Sequence, residues 1–362
     1  MKVGIITFHR AISYGAVLQA FALKEFLLSK GIETEIIDYR NEYFEKLYYS
    51  NAIDLSGYEQ FRDKFGIKKK IRRFFEILYL RVLGKKFLDF QRDYLDVDIY
   101  DEGKTQMSDS GYDYYITGSD QVWNLSLTDN DRTYFLNFAE PQKRISFSAS
   151  IGGYPIEHDT EIIRLLNEFK SISVREASTK DKLVKMGIKD VCINLDPVFL
   201  LTEQEWRKLA SKGNKKGYTL LFEVGRNKEL LRYALEYARL EHKKLYYLST
   251  DFVRPLHKDI HNLHIESPQD FLSWIMNADY VFTNSFHGTA FSIIFKKKFY
   301  CHILKNQRSS DRLIAILKGF GLEDNYNPDK IGYITVCDLS DAIADNKKKA
   351  WDYFKNNTEE RL

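Results

Sequence analysis

Cysteine is scarce in this sequence. The 362 residues include three cysteines, and these lie far apart, at Cys192, Cys301 and Cys337. An odd number of scattered cysteines predicts neither a disulfide framework nor a cysteine-based zinc site. The pattern is typical of a protein that works in a reducing compartment.

The sequence also lacks a charge excess and a long apolar run. Its formal net charge is +3, which gives no basis for a nucleic-acid partner. No apolar run approaches the length that spans a membrane, and the opening MKVGIITF is too short for a signal peptide and leads into a strand. We therefore expect a cytoplasmic location, either free in solution or peripheral at the inner face of the membrane.

The composition that remains is that of a soluble globular protein, with 44% hydrophobic and 29% charged residues. A chain of this length exceeds one ordinary core, so two domains are expected. Aromatic side chains are abundant, with 24 tyrosines and 25 phenylalanines. A core explains most of them, and exposed ones can serve as stacking platforms for sugars.

The first forty residues predict a βαβ unit and hence a parallel sheet. Residues 2–8 form a buried strand, residues 16–29 have helical spacing, and residues 33–38 form a second strand. The loop HRAISYG after the first strand has one glycine instead of GxGxxG spacing, so it predicts no dinucleotide site. Tyr14 and Gly15 in this loop either present amides to a phosphate or sugar, or belong to a plain connection.

A second polar loop follows the strand predicted at residues 114–117. Gly118, Ser119 and Asp120 lie at the carboxyl end of that strand, where small polar residues suit the rim of a phosphate or sugar site. Asp120 is a candidate to orient an imidazole or an acceptor hydroxyl. The alternative is that Ser119 or Asp120 caps the next helix.

A third strand end carries an arginine. The segment SISVR, residues 171–175, places Arg175 beside a helix predicted to start at Glu176. An arginine next to a helix N-terminus suits a carboxylate or a phosphate. The alternative is a surface pair with Glu176, which would stabilise the protein little.

The segment NADYVFTNSFHGTAFSIIF, residues 277–295, predicts a strand, a polar turn and a buried helix that begins at about Ala290. In parallel sheets, ligands bind outside the carboxyl ends of the strands, which is where the turn places His287. An imidazole beside a helix N-terminus suits an anionic ligand. Gly288 permits close backbone approach. Two neighbouring residues carry hydroxyl groups, Ser285 and Thr289. They either contact the ligand or cap the helix.

A basic amphipathic helix is predicted within residues 43–105. Its shared apolar face consists of Ile71, Phe74, Phe75, Leu78 and Val82. Eight lysines and arginines between residues 68 and 86 surround that face. Such a helix either covers a sheet, with its basic side in solvent, or lies on an anionic membrane.

The polar, glycine-bearing stretch KLASKGNKK, residues 208–216, is the predicted domain boundary. We expect an N-terminal Rossmann-like domain over residues 1–207, with the basic helical insertion at about 43–105. A C-terminal Rossmann-like domain is expected over residues 208–338. Residues 339–362 are predicted to form a closing helix that crosses back to the first domain.

Three histidines in one loop of the second half carry no metal prediction. His257, His261 and His264 do not have a metal-ligand spacing on one helix, and no carboxylate cluster joins them. We therefore expect no metal site.

Six segments follow one another along the chain: GIITFHRAISYGAVLQAFALKEFL, YDYYITGSDQVWN, ISFSASIG, ISVREAS, LDPVFLL and NADYVFTNSFHGTAFSIIF. In this order they resemble the polysaccharide pyruvyl transferase family. Together they extend over nearly the whole chain apart from residues 43–105, and the specificity lies in the ordered set.

The resemblance implies a fold and a reaction. The fold is α/β and similar to the glycosyltransferase B type, with two Rossmann-like domains facing across the cleft that holds the active site. The reaction moves a pyruvyl group from phosphoenolpyruvate onto two hydroxyls of a sugar, forming a ketal on a cell-surface polysaccharide or its lipid-linked precursor. The partners are therefore this donor and a saccharide acceptor, and no metal or organic cofactor is needed.

The resemblance also implies roles for individual residues. His287 matches the histidine proposed as acid/base in the second domain, and Arg175 matches the arginine that holds the donor. Ser285 departs from the family, whose members of known activity often have arginine two residues before the histidine. Arg308 and Arg312, which follow the next strand, are candidates to supply the missing positive charge.

Two other functions are open from the sequence. A fold of this type also serves glycosyltransferases that use a nucleotide-sugar, and fold alone does not separate the two. Glu323 and Asp324 lie too far downstream to be the acidic residue that usually binds the ribose. Ser285 in place of arginine also leaves open a non-catalytic protein of a polysaccharide assembly complex.

Overall fold

In the computed structural model, eleven strands within the described residues form two parallel β-sheets. The structure describes residues 1–41, 43, 67–97, 107–109, 111–213, 215–303, 310–322 and 339–358. The first sheet contains β1 (Lys2–Ile6), β2 (Glu33–Ile36), β3 (Tyr114–Thr117), β4 (Arg144–Ala149), β5 (Ser171–Val174) and β6 (Val191–Ile193). The second contains β7 (Thr219–Phe222), β8 (Leu245–Leu248), β9 (Ile260–Asn262), β10 (Tyr280–Thr283) and β11 (Lys298–Cys301). The predicted α/β class with two Rossmann-like sheets is confirmed.

Most of the helices connect these parallel strands. Those in the described ranges are α1 (Tyr14–Leu28), α2 (Ile67–Leu95), α3 (Thr160–Asn167), α4 (Ala177–Lys185), α5 (Glu203–Leu209), α6 (Lys228–Leu240), α7 (Pro268–Asn277), α8 (Phe286–Ile294), α9 (Ser310–Gly319) and α10 (Ser340–Asn357). We refer below to the part of the chain around the first sheet as the first half and to the part around the second sheet as the second half.

Each sheet reverses its strand order at one point. The orders are β2-β1-β3-β4-β5-β6 and β11-β10-β7-β8-β9. All neighbouring strands are parallel, so the carboxyl ends within one sheet lie along one edge. The reversals fall between β1 and β3 and between β7 and β10. Loops that leave these strands are where a ligand site is expected.

The inner strands of both sheets are short, mostly apolar runs without the alternation of an exposed sheet, whereas the edge strand β2 alternates between exposed and buried residues. Every residue of β4 (RISFSA) and of β7 (TLLF) is buried. Burial on both faces is typical of parallel sheets covered by helices. Even Arg144 in β4 is buried, and its Nη1 donates to Glu168 Oε2 at 2.7 Å.

Helix α1 lies at the junction of the two halves. It packs against α2, α7 and the 3₁₀ turn Pro197–Leu200. The Tyr14 ring at its N-terminus stacks on Phe271 of α7 with 4.7 Å between the centroids, and the Tyr14 hydroxyl donates to Glu266 O at 3.2 Å. The first turn of α1 is therefore fixed by contacts with the second half.

The closing helix α10 packs against strands of the first sheet. Its Tyr353 hydroxyl donates to Ser146 O in β4 at 2.9 Å and accepts from the Ser171 hydroxyl in β5 at 2.7 Å. The helix also packs against the turn Pro197–Leu200. The domain limits at residues 208 and 339 stay a prediction.

The packed face of the basic helix α2 differs from the predicted one. Its buried side chains include Ile77, Leu83, Phe87 and Phe90. Phe74, Phe75, Leu78 and Val82, which we call the outer face of α2, are instead 41–54% exposed. The helix carries two apolar stripes on opposite sides, and the stripe through Leu83 packs because it continues along the half of the helix that meets α1.

The rest of the predicted insertion, residues 44–66 and 98–105, lies outside the described residues. Among the helices that are described, none is long and apolar enough to cross a membrane.

The helix after β10 begins earlier than the sequence predicted. It starts at Phe286 and not near Ala290, because Ser285 acts as its N-cap. His287 therefore lies in the first turn of α8, where its direction is set by the helix.

Candidate functional site

A cleft of about 750 Å³ opens between the carboxyl edges of the two sheets. It is lined by the loops after β1 and β3 of the first sheet and by the loops after β7, β8, β10 and β11 of the second. Both reversals of strand order therefore border it. The predicted site residues that line the cleft are Tyr14, Gly15, Asp120, Ser285, His287 and Arg312.

A buried ionic cluster lies beside this cleft. Arg175 follows β5, where its Nη1 donates to Asp196 Oδ2 at 2.7 Å and its Nε donates to Glu176 Oε1 at 3.0 Å. These three side chains are at most 3% exposed. The Ser119 hydroxyl donates to the same Asp196 oxygen at 2.9 Å, and the guanidinium carbon lies 4.4 Å from the centroid of the Phe286 ring. Arg175 is thus a buried cation shared by two carboxylates, and the alternative of a surface pair with Glu176 is wrong.

Burial and charge act in opposite directions on the cluster. Burial by itself raises the pKa of Asp196, but His287 and Arg175 outweigh it and hold that pKa well below its ordinary value. Burial also disfavours the charged form of Arg175, while Glu176 and Asp196 raise the pKa of the guanidinium above its usual range. At neutral pH the cluster therefore contains a guanidinium and an ionised Asp196.

His287 reaches the same carboxylate from the second half. Its Nε2 lies 3.6 Å from Asp196 Oδ2, which is too long for a hydrogen bond but within ion-pair distance. The side chain is 11% exposed and borders the cleft. An ionised carboxylate at this place orients the imidazole and pairs with it whenever the ring carries a second proton.

Arg312, in the first turn of α9, completes the arrangement. It borders both the cleft and a small cavity that Arg175, Glu176 and Asp196 also line. Burial lowers the pKa of Arg312, and the positive charge of Arg175 lowers it further. An anion that contacts both guanidinium groups would relieve their repulsion. Below, Arg175, Asp196, His287 and Arg312 together are called the arginine cluster.

Three nitrogen atoms of the arginine cluster are buried without a hydrogen-bond partner in the described part of the chain. They are Arg175 Nη2, His287 Nε2 and Arg312 Nε. Buried polar atoms are nearly always hydrogen-bonded in a folded protein. Unpaired nitrogen atoms from α8, α9 and the residue after β5 make this place chemically suited to an anionic ligand. Arg308, also predicted to supply charge, lies outside the described residues.

Gly15 provides the space for the His287 ring. A Cβ atom at residue 15 would lie 1.9 Å from His287 Nδ1 and 2.3 Å from its Cε1. The imidazole is thus enclosed by the first turn of α1 on one side and faces Asp196 with Nε2. Tyr14 lines the cleft as well, while its hydroxyl is bonded to Glu266 O.

Ser285, Gly288 and Thr289 build the start of α8. Ser285 Oγ accepts from Gly288 N at 3.3 Å, and the Thr289 hydroxyl donates to Ser285 O at 3.0 Å. A Cβ atom on Gly288 would lie 2.3 Å from Thr283 Oγ1, so glycine allows α8 to pack against β10. Of these predicted residues, Ser285 also lines the cleft.

Of the three predicted residues in the loop after β3, two pack inside the protein and one lines the cleft. Ser119 is buried against Asp196, and a Cβ atom on Gly118 would lie 3.1 Å from Thr7 Cβ. Asp120 lines the cleft with a φ of 76°, and its Oδ1 accepts from its neighbour's backbone N at 2.8 Å. Asp120 is therefore the one of these three that a ligand in the cleft would meet.

Asp196 is the central residue that the sequence did not indicate as a site. Its Oδ1 accepts from Val198 N at 3.1 Å and caps the turn Pro197–Leu200, while its Oδ2 serves Arg175, Ser119 and His287. The sequence shows only an aspartate that follows a short strand and precedes a proline. This pattern is more typical of a helix cap than of a ligand site.

The loop after β1 is held by a second buried cluster that the sequence did not indicate. His9 Nε2 lies 3.0 Å from Asp38 Oδ1, and Arg10 Nε donates to the same oxygen at 2.5 Å. Burial raises the pKa of Asp38, but His9 and Arg10 outweigh it and hold that pKa well below its usual range. This pairing anchors the chain that leads to Gly15.

Two of the three histidines predicted to share a loop have other partners, and one of the two, His261, lies in β9. His257 Nδ1 accepts from Asp259 N at 3.1 Å, and the His261 ring stacks on Tyr246 at 5.1 Å. Among the described residues, no group of three or more histidine, cysteine, aspartate or glutamate side chains is placed to hold a metal ion.

Comparison with known families gives one match. The family model described as polysaccharide pyruvyl transferase matches residues 14–302. The matched region contains Gly15, Arg175, Asp196 and His287, while Arg312 follows it. No curated protein matches the chain.

Among solved structures, the chain is similar to several sugar-nucleotide epimerases at low identity. UDP-N-acetylglucosamine 2-epimerase from Rickettsia bellii is 11% identical, with a TM-score of 0.48 over 98% of this chain and 96% of that one. The UDP-GlcNAc 2-epimerase from Neisseria meningitidis, bound to UDP-GlcNAc, is 12% identical, with a TM-score of 0.47 over 99% and 93%. That from Methanocaldococcus jannaschii, in complex with UDP-GlcNAc and UDP, is 12% identical, with a TM-score of 0.46 over 97% and 100%. Similarities at this level carry no argument about function.

Proposed function

The chain belongs to the polysaccharide pyruvyl transferase family, and on that premise we propose that it moves the pyruvyl group of phosphoenolpyruvate onto two hydroxyls of one sugar. Membership of the family makes it a transferase that acts on a polysaccharide. In the proposed reaction, two C–O bonds form at C2 of the donor and the bond from C2 to the phosphate oxygen breaks. Of the two hydroxyl protons, one goes to the methylene carbon, which becomes a methyl group, and the other leaves with the phosphate.

The observation that carries this proposal is the set of three unpaired nitrogen atoms in the arginine cluster. Phosphoenolpyruvate has a carboxylate and a phosphate, and it therefore needs more than one positive group. Arg175 is largely committed to its two carboxylates through Nε and Nη1, which leaves Nη2 for the ligand. Arg312 offers a second guanidinium that no described carboxylate binds.

His287 is proposed as the group that moves protons. Its ring is held in place by Gly15, and Asp196, which stays ionised, faces its Nε2. Ketal formation requires a proton at the methylene carbon and the removal of one from the attacking hydroxyl. A positioned histidine typically accelerates such transfers by about 10²–10⁴-fold.

Although serine stands at position 285 in place of the expected arginine, the cleft still contains a guanidinium group. Ser285 caps α8, so the position two residues before His287 is structural here. Arg312 brings a guanidinium to the same cleft from α9. We therefore propose that the donor is unchanged and that α9 supplies the cation expected at residue 285.

We further propose a lipid-linked acceptor and a cytoplasmic protein that binds peripherally to the inner face of the membrane. The support is the outer face of α2, which exposes four large apolar side chains. The exposed cationic residues on the same helix are Arg72, Arg81, Lys85 and Lys86. Apolar side chains surrounded by positive charge suit an anionic lipid surface.

Calorimetric titration of phosphoenolpyruvate into wild type and Arg312→Gln tests the donor site. We expect binding to wild type and a loss of about 10- to 100-fold in the variant, because a hydrogen bond to a charged group contributes about 1.5–3 kcal/mol. Arg232→Gln is the matched control, since Arg232 is exposed on α6 and pairs with Glu236. Arg175 is less suitable as a first test, because its removal would leave two buried carboxylates unpaired and destabilise the fold.

Two further titrations decide between the proposal and its alternatives. His287→Ala should still bind the donor, though more weakly because it removes one of the three unpaired nitrogen atoms, and should lose transfer. Wild-type turnover in that variant would remove His287 from the mechanism. No binding of phosphoenolpyruvate to wild type, with or without a glycoside acceptor, overturns the donor proposal. Saturable binding of a nucleotide-sugar in its place would assign the protein to the glycosyltransferases.

A further inference from the structure

We propose that the side of the cleft formed by the second sheet is the acceptor subsite, where Asp251 and His302 bind the hydroxyls of a saccharide. The inference rests on the proposed transfer reaction and adds to it the residues that contact the acceptor. Asp251 follows β8 and His302 follows β11, and neither belongs to the arginine cluster.

His302 has an unpaired ring nitrogen at the cleft. The residue lines the cleft and is 5% exposed, and its Nε2 has no hydrogen-bond partner among the residues described. Glu229 Oε2 lies 3.8 Å from this nitrogen, which is beyond hydrogen-bond distance. On the other side of the ring, Nδ1 lies 3.4 Å from the Tyr300 hydroxyl. A hydroxyl group of a ligand would give Nε2 the partner that buried polar atoms normally have.

The charge state of His302 favours a hydroxyl over an anion. Burial lowers the pKa of the imidazole, and the opposing effect of Glu229 is smaller. A neutral imidazole has one donor and one acceptor, as a sugar hydroxyl does. His302 therefore matches an uncharged polyol, while the guanidinium groups of the arginine cluster match a phosphate.

Asp251 contributes a carboxylate to the same side of the cleft. It is half-buried and lines the cleft, and its carboxylate has no ion pair or hydrogen bond within the described ranges. The two oxygens of a carboxylate can accept from two neighbouring sugar hydroxyls. The same charge repels phosphate, so this side of the cleft disfavours both the proposed donor and a nucleotide diphosphate.

The rim of the proposed subsite is held in one conformation. Glu223 Oε1 accepts from the Tyr247 hydroxyl at 2.7 Å, and its Oε2 accepts from Asn227 N at 3.0 Å. Asn284 bonds both backbone groups of Val224, at 2.9 Å and 3.1 Å. A loop that is already ordered loses little entropy when a ligand binds.

The cleft is large enough for both reactants. Its volume of about 750 Å³ falls within the range of roughly 300–1,000 Å³ that drug-sized ligands occupy. Phosphoenolpyruvate at the arginine cluster would fill only part of it. An oligosaccharide acceptor that extends from Asp251 to His302, across the ends of β7 and β10, would then share one cleft with the donor.

Saturation-transfer NMR on the full chain tests this subsite without requiring turnover. The probes are the methyl glycosides of disaccharides that contain galactose, mannose or N-acetylglucosamine, because the strands before Asp251 and His302 are three positions apart, about 14 Å. Each probe is titrated into wild type, Asp251→Asn and His302→Leu. Asp259→Asn is the matched control, because it removes the same charge from an exposed loop of the second half. We expect at least one glycoside to bind wild type and the control equally, and to bind Asp251→Asn and His302→Leu about tenfold or more weakly.

Phosphoenolpyruvate titrations of the same proteins separate this proposal from the donor proposal. The donor affinity of Asp251→Asn should stay within about twofold of wild type, since the carboxamide fits the same space. Because Asp251 is only half-buried, this variant keeps the test valid if His302→Leu does not fold. The subsite is refuted by equal glycoside affinity in wild type and Asp251→Asn, by no glycoside binding to wild type, or by uridine diphosphate displacing the glycoside. Glycoside binding without donor binding would refute the donor proposal but not the saccharide subsite.

Discussion

Gly15 leaves no room for a side chain beside His287, and this contact can be tested by one methyl group. Gly15 does not have a positive φ, and alanine is the best helix former, so Gly15→Ala is compatible with the backbone of α1. The new Cβ would displace the imidazole, and a shift of this size costs about 10²-fold in rate. We expect transfer to fall by about that factor while the thermal midpoint changes little, as measured by turnover and calorimetry.

Gly319→Ala is the control for this substitution. Gly319 also lies in a helix, and the nearest atom to its added Cβ would be Leu195 Cδ2 at 3.9 Å, an ordinary contact. We expect wild-type activity from the control. Wild-type activity from Gly15→Ala as well would mean that transfer does not depend on the present position of the His287 ring.

Single residues of the site could be predicted from the sequence where the residues next to them form a recognisable strand end or helix start. His287 follows a strand and starts a helix, and Arg175 ends another strand, so both were found locally. Asp196 could not be found in this way, because its partners lie far along the chain, and Gly15 was indicated as a candidate without its contact to His287. The role of Gly15 is to leave space, which no local pattern encodes.

At the scale of elements, the outer face of α2 predicts binding to anionic vesicles at low salt. Phe74→Ser/Phe75→Ser should lose most of this binding, because two exposed aromatic side chains can no longer enter the interface. Folding should be unaffected, since both side chains are more than half exposed. Co-sedimentation with vesicles that contain phosphatidylglycerol is the measurement.

The matched control removes two exposed apolar side chains elsewhere. Leu240 and Leu256 are 76% and 99% exposed, and Leu240→Ser/Leu256→Ser should bind vesicles as wild type does. If wild type itself does not sediment with the vesicles at low salt, the membrane contact is refuted and the basic face of α2 is a solvated surface.

The positions of elements could be predicted where turns bound them, as for β3, which begins and ends where the sequence indicated. Two elements show where such reasoning stops. The start of α8 was missed because SFHG has the composition of a turn, whereas Ser285 in fact caps a helix. The packed face of α2 was missed because that helix has two apolar stripes, and the choice between them depends on α1, which is not local in sequence.

At the scale of the whole molecule, the hydroxyl of Tyr353 joins the end of the chain to the first sheet. Tyr353→Phe removes its bonds to Ser146 O and the Ser171 hydroxyl, while Ser146 O still accepts from the Ser173 hydroxyl at 3.2 Å. We expect the free energy of unfolding to fall by about 1–3 kcal/mol, as measured by urea titration. Tyr112→Phe, whose hydroxyl bonds exposed Glu35, should change it by less than about 0.5 kcal/mol. Equal effects would show that the Tyr353 hydroxyl contributes no more to stability than a surface contact.

The overall architecture followed from the alternation of strand and helix patterns, because parallel sheets with right-handed crossovers leave few arrangements. The relation between the two sheets did not follow from these patterns. It depends on α1, which stacks Tyr14 on Phe271, and on Asp196 and His287, which meet across the cleft. Contacts of this kind join residues from opposite parts of the chain and have no periodicity to detect.

The His287 ring contacts residues of both halves, and this limits which first and second halves can be combined in one chain. The histidine is carried by the second half, while the glycine that admits it and the carboxylate that faces it are carried by the first. A chimera that joins the first half of one relative to the second half of another would keep both sheets, yet it would retain a working imidazole only if residue 15 remained glycine. We therefore expect the two halves to be inherited together. Whether a new combination works depends on the absence of a side-chain methyl group at residue 15.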